Sequence, residues 1–476
     1  MLLGENQGHF ASLIIVVFTD NRFVIKEYRF GQTLSRARLA FTGAGLWIWC
    51  TLLGLDLSEY GVLRKEVLLV ILVNSIFGFA VGFGAPSVTP LIVFVNVAMA
   101  FVGNVRAIVQ VLATLIRPLL GPLADRHGPK PFYLLGGMTT VVGYMAYALT
   151  ESWGLLAVGL LFANLDMYIR AFSSTVAVGK GSMAGTRGKA FSLDLGVTQF
   201  ASTVSPLIGG YVADKFQLSF REVFTLVVGL MIVGLVLMVL KYPSHTKSEP
   251  TASSSLGSYV KQAFATDRRL RTFAYLSALD WSLWGLSFPF YHIFIYKQFG
   301  ATTEQLGIVV AIGSASPALA SFLLGPVLDR ARPTRFLAIS EFMALGAFPP
   351  ILFGARIEMA YVSAVFWGLG YGLWMPAMNS YVLDTVGKDS FARASGNVSL
   401  LASLLSIPSP AIAGWLYDNV SPKAPFVITM IGALSTGVLI LLLMSEPKSQ
   451  NHTFAPSLAT SRSHVDDPGV VARTYR

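Results

Sequence analysis

Long apolar runs alternate with short polar breaks from residue 66 to residue 444. Most runs approach the roughly 20 residues that an α-helix needs to cross a bilayer. The alternation predicts six helices at about 66–88, 101–123, 131–150, 152–177, 188–214 and 219–241. Six more follow at about 270–296, 304–328, 334–353, 357–383, 391–418 and 424–444. Between the two sets, residues 242–269 turn polar and basic, close on Arg268-Arg269, and read as a linker. Ahead of the first helix, Ser12–Phe18 and Phe23–Phe30 flank Thr19-Asp20-Asn21-Arg22, the pattern of a short β-hairpin. Residues 39–57 are uncharged until Asp56 and long enough to span once or to lie along the interface. Arg36, Arg38, Arg64 and Lys65 flank both ends of that run, which argues for both ends on one face. Residues 445–476 are rich in Ser, Pro and charge and read as a disordered tail.

A repeat organises the helical part. Gly121-Pro-Leu-Ala-Asp125-Arg126 returns as Gly325-Pro-Val-Leu-Asp329-Arg330, 204 residues later. Ser205-Pro206 with its glycines returns at Ser409-Pro410, and Gly103 returns at Gly307, at the same offset. An offset that holds across several features means two copies of one structural design. The expected fold is therefore an all-α membrane protein with twelve transmembrane helices in two pseudo-symmetric six-helix bundles. The bundles occupy residues 66–241 and 270–444, behind an N-terminal extension (1–65) and around a cytoplasmic linker (242–269).

Composition agrees. Charged residues are 13% and hydrophobic residues 54% of the chain, against about 25% charged in ordinary soluble domains. The net charge of +10 does not point to nucleic acid, because Lys and Arg gather in alternate loops. Arg126, Lys130, Lys180, Arg187, Lys247, Lys261, Arg268, Arg269, Arg330, Arg332, Arg335 and Lys388 follow even-numbered helices. Only Lys215, Arg221, Lys297, Arg356 and Lys423 follow odd-numbered ones. The positive-inside rule then puts both ends of the twelve-helix core in the cytoplasm. The opening residues lack the basic n-region of a cleavable signal, so the first span is expected to direct insertion. Cys50 is the single cysteine. That excludes an intrachain disulfide and argues against a thiolate metal cluster, so no cofactor and no metal are expected.

The Gly-x-x-x-Asp-Arg-x-Gly-x-Lys run at 121–130, between the second and third helices, resembles motif A of the major facilitator superfamily. The weaker copy between the eighth and ninth helices, the six-plus-six layout and Gly368-Leu369-Gly370-Tyr371-Gly372 in the tenth helix are similar to the same family. In the second copy Arg332 stands where the second glycine is expected. The resemblance implies that Gly121, Asp125, Arg126, Gly128, Lys130, Gly325, Asp329 and Arg330 form a cytoplasmic gate motif. It also implies that the first, fourth, seventh and tenth helices line a central cavity, and that the fifth and eleventh pair with the eighth and second. Physically, Gly121 lets two helices approach, Gly128 permits a tight turn, and Asp125 with Arg126 can cap a facing helix end. Drug–proton antiporters of the family carry an arginine early in the fourth helix. Arg170 aligns with Trp374 and stands too late in its helix to be that residue.

Charges at mid-bilayer face a cavity or a partner. The fourth helix carries Asp166 and Arg170 at i, i+4, continued by Ser173 and Ser174. The seventh carries Ser277, Asp280, Trp284, Ser287 and Tyr291 at steps of three and four, one polar and aromatic stripe. The tenth carries Trp367, Tyr371, Trp374 and Met378, and the first offers Asn74. Asp166 and Asp280 each lie about ten residues from the cytoplasmic end of their helix, ~15 Å deep. The expected substrate and proton cavity is Asn74, Asp166, Arg170, Asp280, Trp284, Tyr291, Tyr371 and Trp374. In it Asp166 pairs with Arg170, or handles substrate or protons with it, while Asp280 is free to carry a proton. Glu341, on the ninth helix, is expected at the periphery beside Arg330, Arg332 and Arg335.

These readings point to a secondary active transporter of a small organic solute working by alternating access. Proton-coupled efflux of amphipathic or organic-ion compounds fits the Asp, Arg, Trp and Tyr lining. Uptake of a sugar or organic acid by the same fold is the alternative. Outside transport, a membrane enzyme or a non-transporting sensor remains. An enzyme would need a His, Asp or Cys constellation, and no HxxxxD, HExxH or Cys cluster is present. A sensor would need a folded signalling domain, which the polar tail does not supply. The expected partners are the small-molecule substrate, protons and the lipid bilayer, with the chain as a monomer in the cell membrane.

Overall fold

The computed structural model describes residues 64–182, 186–243, 268–328 and 332–446, together with residues 12–19 and 22–29 as backbone. Residues 39–57, the polar tail from 447 onward and most of the linker lie outside the described residues. Strands β1 (Ser12–Thr19) and β2 (Arg22–Arg29) pair antiparallel, Thr19 opposite Arg22.

The rest is helical. In the first half, α1 (Lys65–Val95), α2 (Met99–His127), α3 (Lys130–Ala148), α4 (Trp153–Gly181), α5 (Arg187–Lys215) and α6 (Phe220–Lys241) follow one another through short turns. Their ends carry recognisable stops. Asn96 closes α1 in the left-handed region at φ 54, and Gly128 closes α2 at φ 78, where only a glycine is free of strain. Ser219 opens α6 with a reciprocal capping box to Glu222. In the second half, α7 (Arg268–Ser287), a 3₁₀ turn (Phe288–Phe290) and α8 (Tyr291–Phe299) occupy the seventh expected span. Then come α9 (Thr303–Leu328), α10 (Pro333–Leu345), α11 (Phe348–Phe353), α12 (Glu358–Val386), α13 (Lys388–Ser406), α14 (Ser409–Asn419) and α15 (Ala424–Leu443). Three expected spans are thus interrupted, each at a proline: Pro289, Pro349 beside Pro350, and Pro408. Proline lacks a backbone donor and weakens a helix where it falls, although α1 runs unbroken through Pro86 and Pro90.

Among the described residues, seven segments are long and apolar enough to cross a membrane, from Lys65–Val95 to Ala424–Leu443. Helices such as α5, with Arg187, Lys189 and Asp194, are more polar. The lipid-facing surface is apolar. On α6, Leu226, Val233, Val236, Val239 and Leu240 are exposed, and on α15 Ile431, Leu441 and Leu442.

Packing repeats with the sequence. Helix α1 lies on α5 and α6, and α3 on α4 and α6. In the second half α7 lies on α13 and α15, and α10 on α12 and α15. The halves meet along α5 with α9 and along α2 with α13 and α14, the pairing that the family resemblance implied. Small residues permit it. A Cβ on Gly103 would lie 2.1 Å from the Pro410 carbonyl oxygen, and one on Gly307 2.3 Å from that of Pro206. These are the same two contacts exchanged between halves. At the end of the molecule opposite the Gly121–Lys130 turn, the Asp214 carboxylate accepts from the Glu304 backbone N–H at 2.7 Å. Its repeat mate Asp418 accepts from the Ala100 N–H, also at 2.7 Å. Each carboxylate caps the first turn of a helix from the other half, where free N–H groups and the helix dipole favour an anion. Deeper in, the Gln199 amide donates to the Ser314 carbonyl, and Gln110 donates to the Ser406 hydroxyl at 2.6 Å.

Candidate functional site

Between the halves lies a cavity of about 540 Å³, within the range of small-molecule sites. Its two walls differ. The first half supplies Arg106, Val109 and Gln110 from α2, and Asn164, Met167 and Tyr168 from α4. The second half supplies nearly all the aromatic surface: Trp281 and Trp284 from α7, Phe288 from the 3₁₀ turn, and Trp367, Tyr371 and Trp374 from α12. Phe288 stacks on Trp367 with ring centroids 5.5 Å apart, and Trp367 continues to Tyr371 at 6.1 Å, within 10° of parallel. The Trp374 indole N–H is buried without a partner. Gly370 on the α12 face toward α10 allows close approach, since a Cβ there would lie 2.7 Å from Ala344.

Both acids of the cavity stand on this second wall. Asp280 is 4% exposed and Glu341 2%. Their carboxyls lie beside each other, with Trp284 next to Asp280 in the lining. One oxygen of each, Asp280 Oδ1 and Glu341 Oε2, has no partner. The sequence placed Glu341 at the periphery beside the basic turn. It lies instead on the inner face of α10, because α10 packs under α12 and α15 and turns residues 337, 340, 341 and 344 inward.

The other polar cluster is inside the first bundle. Arg170 holds Asp166 with two bonds, Nε to Oδ1 at 2.7 Å and Nη2 to Oδ2 at 2.8 Å. Its Nη1 donates to Asn74 Oδ1 at 3.1 Å, which also accepts from the Tyr133 hydroxyl at 2.8 Å. Asn74 Nδ2 donates onward to Asp194 at 2.8 Å and to Ser174. The guanidinium lies over the Phe77 ring, 4.6 Å from its centroid. This face of α4 is turned from the cavity because α3 packs on it. Gly136 sits where a Cβ would be 2.5 Å from the Arg170 nitrogen, and Gly143 2.3 Å from that of Ala163.

Of the eight cavity residues expected from the sequence, Asp280, Trp284, Tyr371 and Trp374 line the cavity. Asn74, Asp166 and Arg170 form the buried network behind its wall. Tyr291 donates to the Ser363 hydroxyl at 2.9 Å, within the second bundle. The stripe that predicted Tyr291 assumed an unbroken helix. The 3₁₀ turn at Phe288–Phe290 winds about 20° further per residue and rotates the residues beyond it by ~60°. Of the gate motif, Gly128 forms the turn and Arg126 is exposed. Lys130 donates to the Val239 and Tyr242 carbonyls at 3.0 and 2.6 Å, capping the end of α6. Asp329 and Arg330 lie outside the described residues, and the side chains of Gly121, Asp125 and Gly325 are not described. Sequence reasoning missed Arg106, although a lone arginine inside an apolar span is the signal that the mid-bilayer rule selects.

A sequence model described as Major Facilitator Superfamily matches residues 70–284 and 273–471. The chain is 23% identical over 371 residues to an uncharacterised MFS-type transporter of Methanocaldococcus jannaschii, covering 75% of this chain and 89% of that one. It is 24% identical over 327 residues to a Lactococcus lactis homologue of the multi-drug resistance efflux pump PmrA, covering 67% and 78%. Among solved structures, the nucleoside transporter NupG superposes with a TM-score of 0.66 at 14% identity, over 80% of this chain and all of that one.

Proposed function

Because the chain belongs to the Major Facilitator Superfamily, a family of multi-pass membrane transporters, we propose that it is a secondary active transporter exporting amphipathic or organic-ion compounds in exchange for protons that enter down their gradient. Twelve spans form two bundles, residues 66–241 and 270–444, which rock about the cavity and expose it to one side at a time. The charged loops put both ends of this core in the cytoplasm, so the Asp214 and Asp418 caps close the outer side. The turn at Gly121–Lys130 and its copy at Gly325–Arg330 latch the inner side. The protein works as a monomer.

One observation supports the coupling: Asp280 and Glu341 lie beside each other on the cavity wall, and among the described residues no cation pairs with them. Two carboxyls in contact in an apolar wall hold at most one negative charge between them. Such a pair keeps a proton until a substrate or an open path to water displaces it. The aromatic wall, with its stacked Phe288, Trp367 and Tyr371, suits a planar organic body. The efflux reading draws support from the relative described as a drug pump.

The test is gradient-driven flux in proteoliposomes. Asp280→Asn is expected to lose acceleration by a pH gradient while still exchanging substrate across the membrane without one. Glu341→Gln is expected to lose most of the same acceleration. Wild-type gradient response in both variants ends the proton-carrier assignment.

A further inference from the structure

Arg106 is the charged residue of the first wall of the cavity among the described residues that line it. Arg106 sits on α2 one turn from Gly103, where α2 crosses Pro410 of α14, and it lines the cavity beside Gln110 and Tyr168. Its Nε is enclosed and without a hydrogen-bond partner. Among the described residues no carboxylate pairs with it. Arg170, deeper in the same half, is held by Asp166 and Asn74. The two acids of the cavity face each other on the opposite wall rather than Arg106.

Arg106 is half-buried, and a guanidinium drawn partly out of water with its Nε unpaired is unfavourable without an anion. It is tolerated where a counter-charge arrives and leaves with each cycle. The planar fork of arginine matches carboxylate, sulfonate and phosphate oxygens two at a time. Across the cavity, Phe288, Trp367 and Tyr371 form a nearly parallel run of stacked rings that a planar aromatic body can extend. We propose that Arg106 is the anion-recognising residue of the cavity, and that the transported compound carries an anionic group on a planar, aromatic body. The anionic group sits on Arg106 and the body lies against the second wall. This rests on the transport reading of the same cavity and names its substrate class.

The test uses the purified full-length chain and two planar dyes, fluorescein as the organic anion and ethidium as the organic cation. Binding is read by equilibrium dialysis, and flux in proteoliposomes. Wild type is expected to bind fluorescein in preference to ethidium. Arg106→Gln is expected to weaken fluorescein binding ~10-fold or more, and Arg106→Lys to recover part of it, because the charge returns without the fork. Unfolding midpoints without dye, matched across the variants, establish that each is folded.

Equal fluorescein affinity in wild type and Arg106→Gln overturns the proposal. So does wild type that binds ethidium alone. Parallel loss of both dyes in Arg106→Gln overturns it as well, since the arginine then serves the architecture of the cavity. Arg106-dependent fluorescein binding without flux in wild type leaves the anion site standing and sinks the transport reading. Ethidium flux that ignores Arg106 does the reverse.

Discussion

Arg170 and Arg106 stand in one bundle and meet opposite fates. The first has a bidentate carboxylate, an amide oxygen and an aromatic ring. The second, among the described residues, has no carboxylate paired with it, and its Nε is without a partner. Breaking a buried pair leaves the surviving charge stranded, at about 3–5 kcal/mol. Arg170→Gln is therefore expected to lower the unfolding midpoint sharply. Arg170→Gln with Asp166→Asn is expected to recover part of it, because no lone charge remains. A double variant less stable than the single would show that the pair matters for more than its own neutrality. Residue by residue, the sequence was a good guide to type and a poor one to direction. Asp166 and Arg170 at i, i+4 announced a pair, and they form one. Nothing in their spacing told which side of α4 faced the cavity, because that was decided by Gly136 and Gly143 on another helix. Glu341 was misplaced for the same reason: the inward face of α10 is set by its partners α12 and α15.

Helices here are shaped by small residues and interrupted by prolines. Gly136 touches the Arg170 backbone, whereas a Cβ on Gly229 in α6 meets nothing within 4 Å. Gly136→Ala is expected to destabilise by about 1–3 kcal/mol through overpacking. Gly229→Ala is expected to be neutral or to stabilise by up to ~1 kcal/mol, since alanine is the better helix former. Thermal unfolding of the two variants side by side checks the pair. Equal effects would mean that the α3–α4 contact relaxes freely. At this scale the apolar runs located the helices well and overlooked the breaks. Each break coincides with a proline that length and hydropathy alone pass over. The break at Pro289 carries a consequence for the site, since it turns Tyr291 away from the stripe begun by Asp280 and Trp284.

The two halves are joined by contacts that come in exchanged pairs: Gly103 with Pro410 and Gly307 with Pro206, Ala100 with Asp418 and Glu304 with Asp214. The 204-residue offset made the glycine and proline members of these pairs visible as a sequence repeat, and left the aspartate caps unread. Only the fold showed that the repeated residues meet their opposite numbers. If this end is the outer gate, tying it shut should stop net transport. In a Cys50→Ser background, Ala100→Cys with Asp418→Cys is expected to cross-link under mild oxidation and to lose flux. A reductant is expected to restore it. Flux that continues through the cross-linked protein would place the moving gate elsewhere. The duplication of the aspartate caps also bears on how the carrier rests. A helix-end contact of this kind is worth up to about 1 kcal/mol, so losing one cap changes the balance of open and closed mouths ~5-fold, and losing both ~30-fold. Mirror placement means that a lopsided tilt releases one bracket and strains against the other. This end of the molecule then opens by a single concerted swing or not at all.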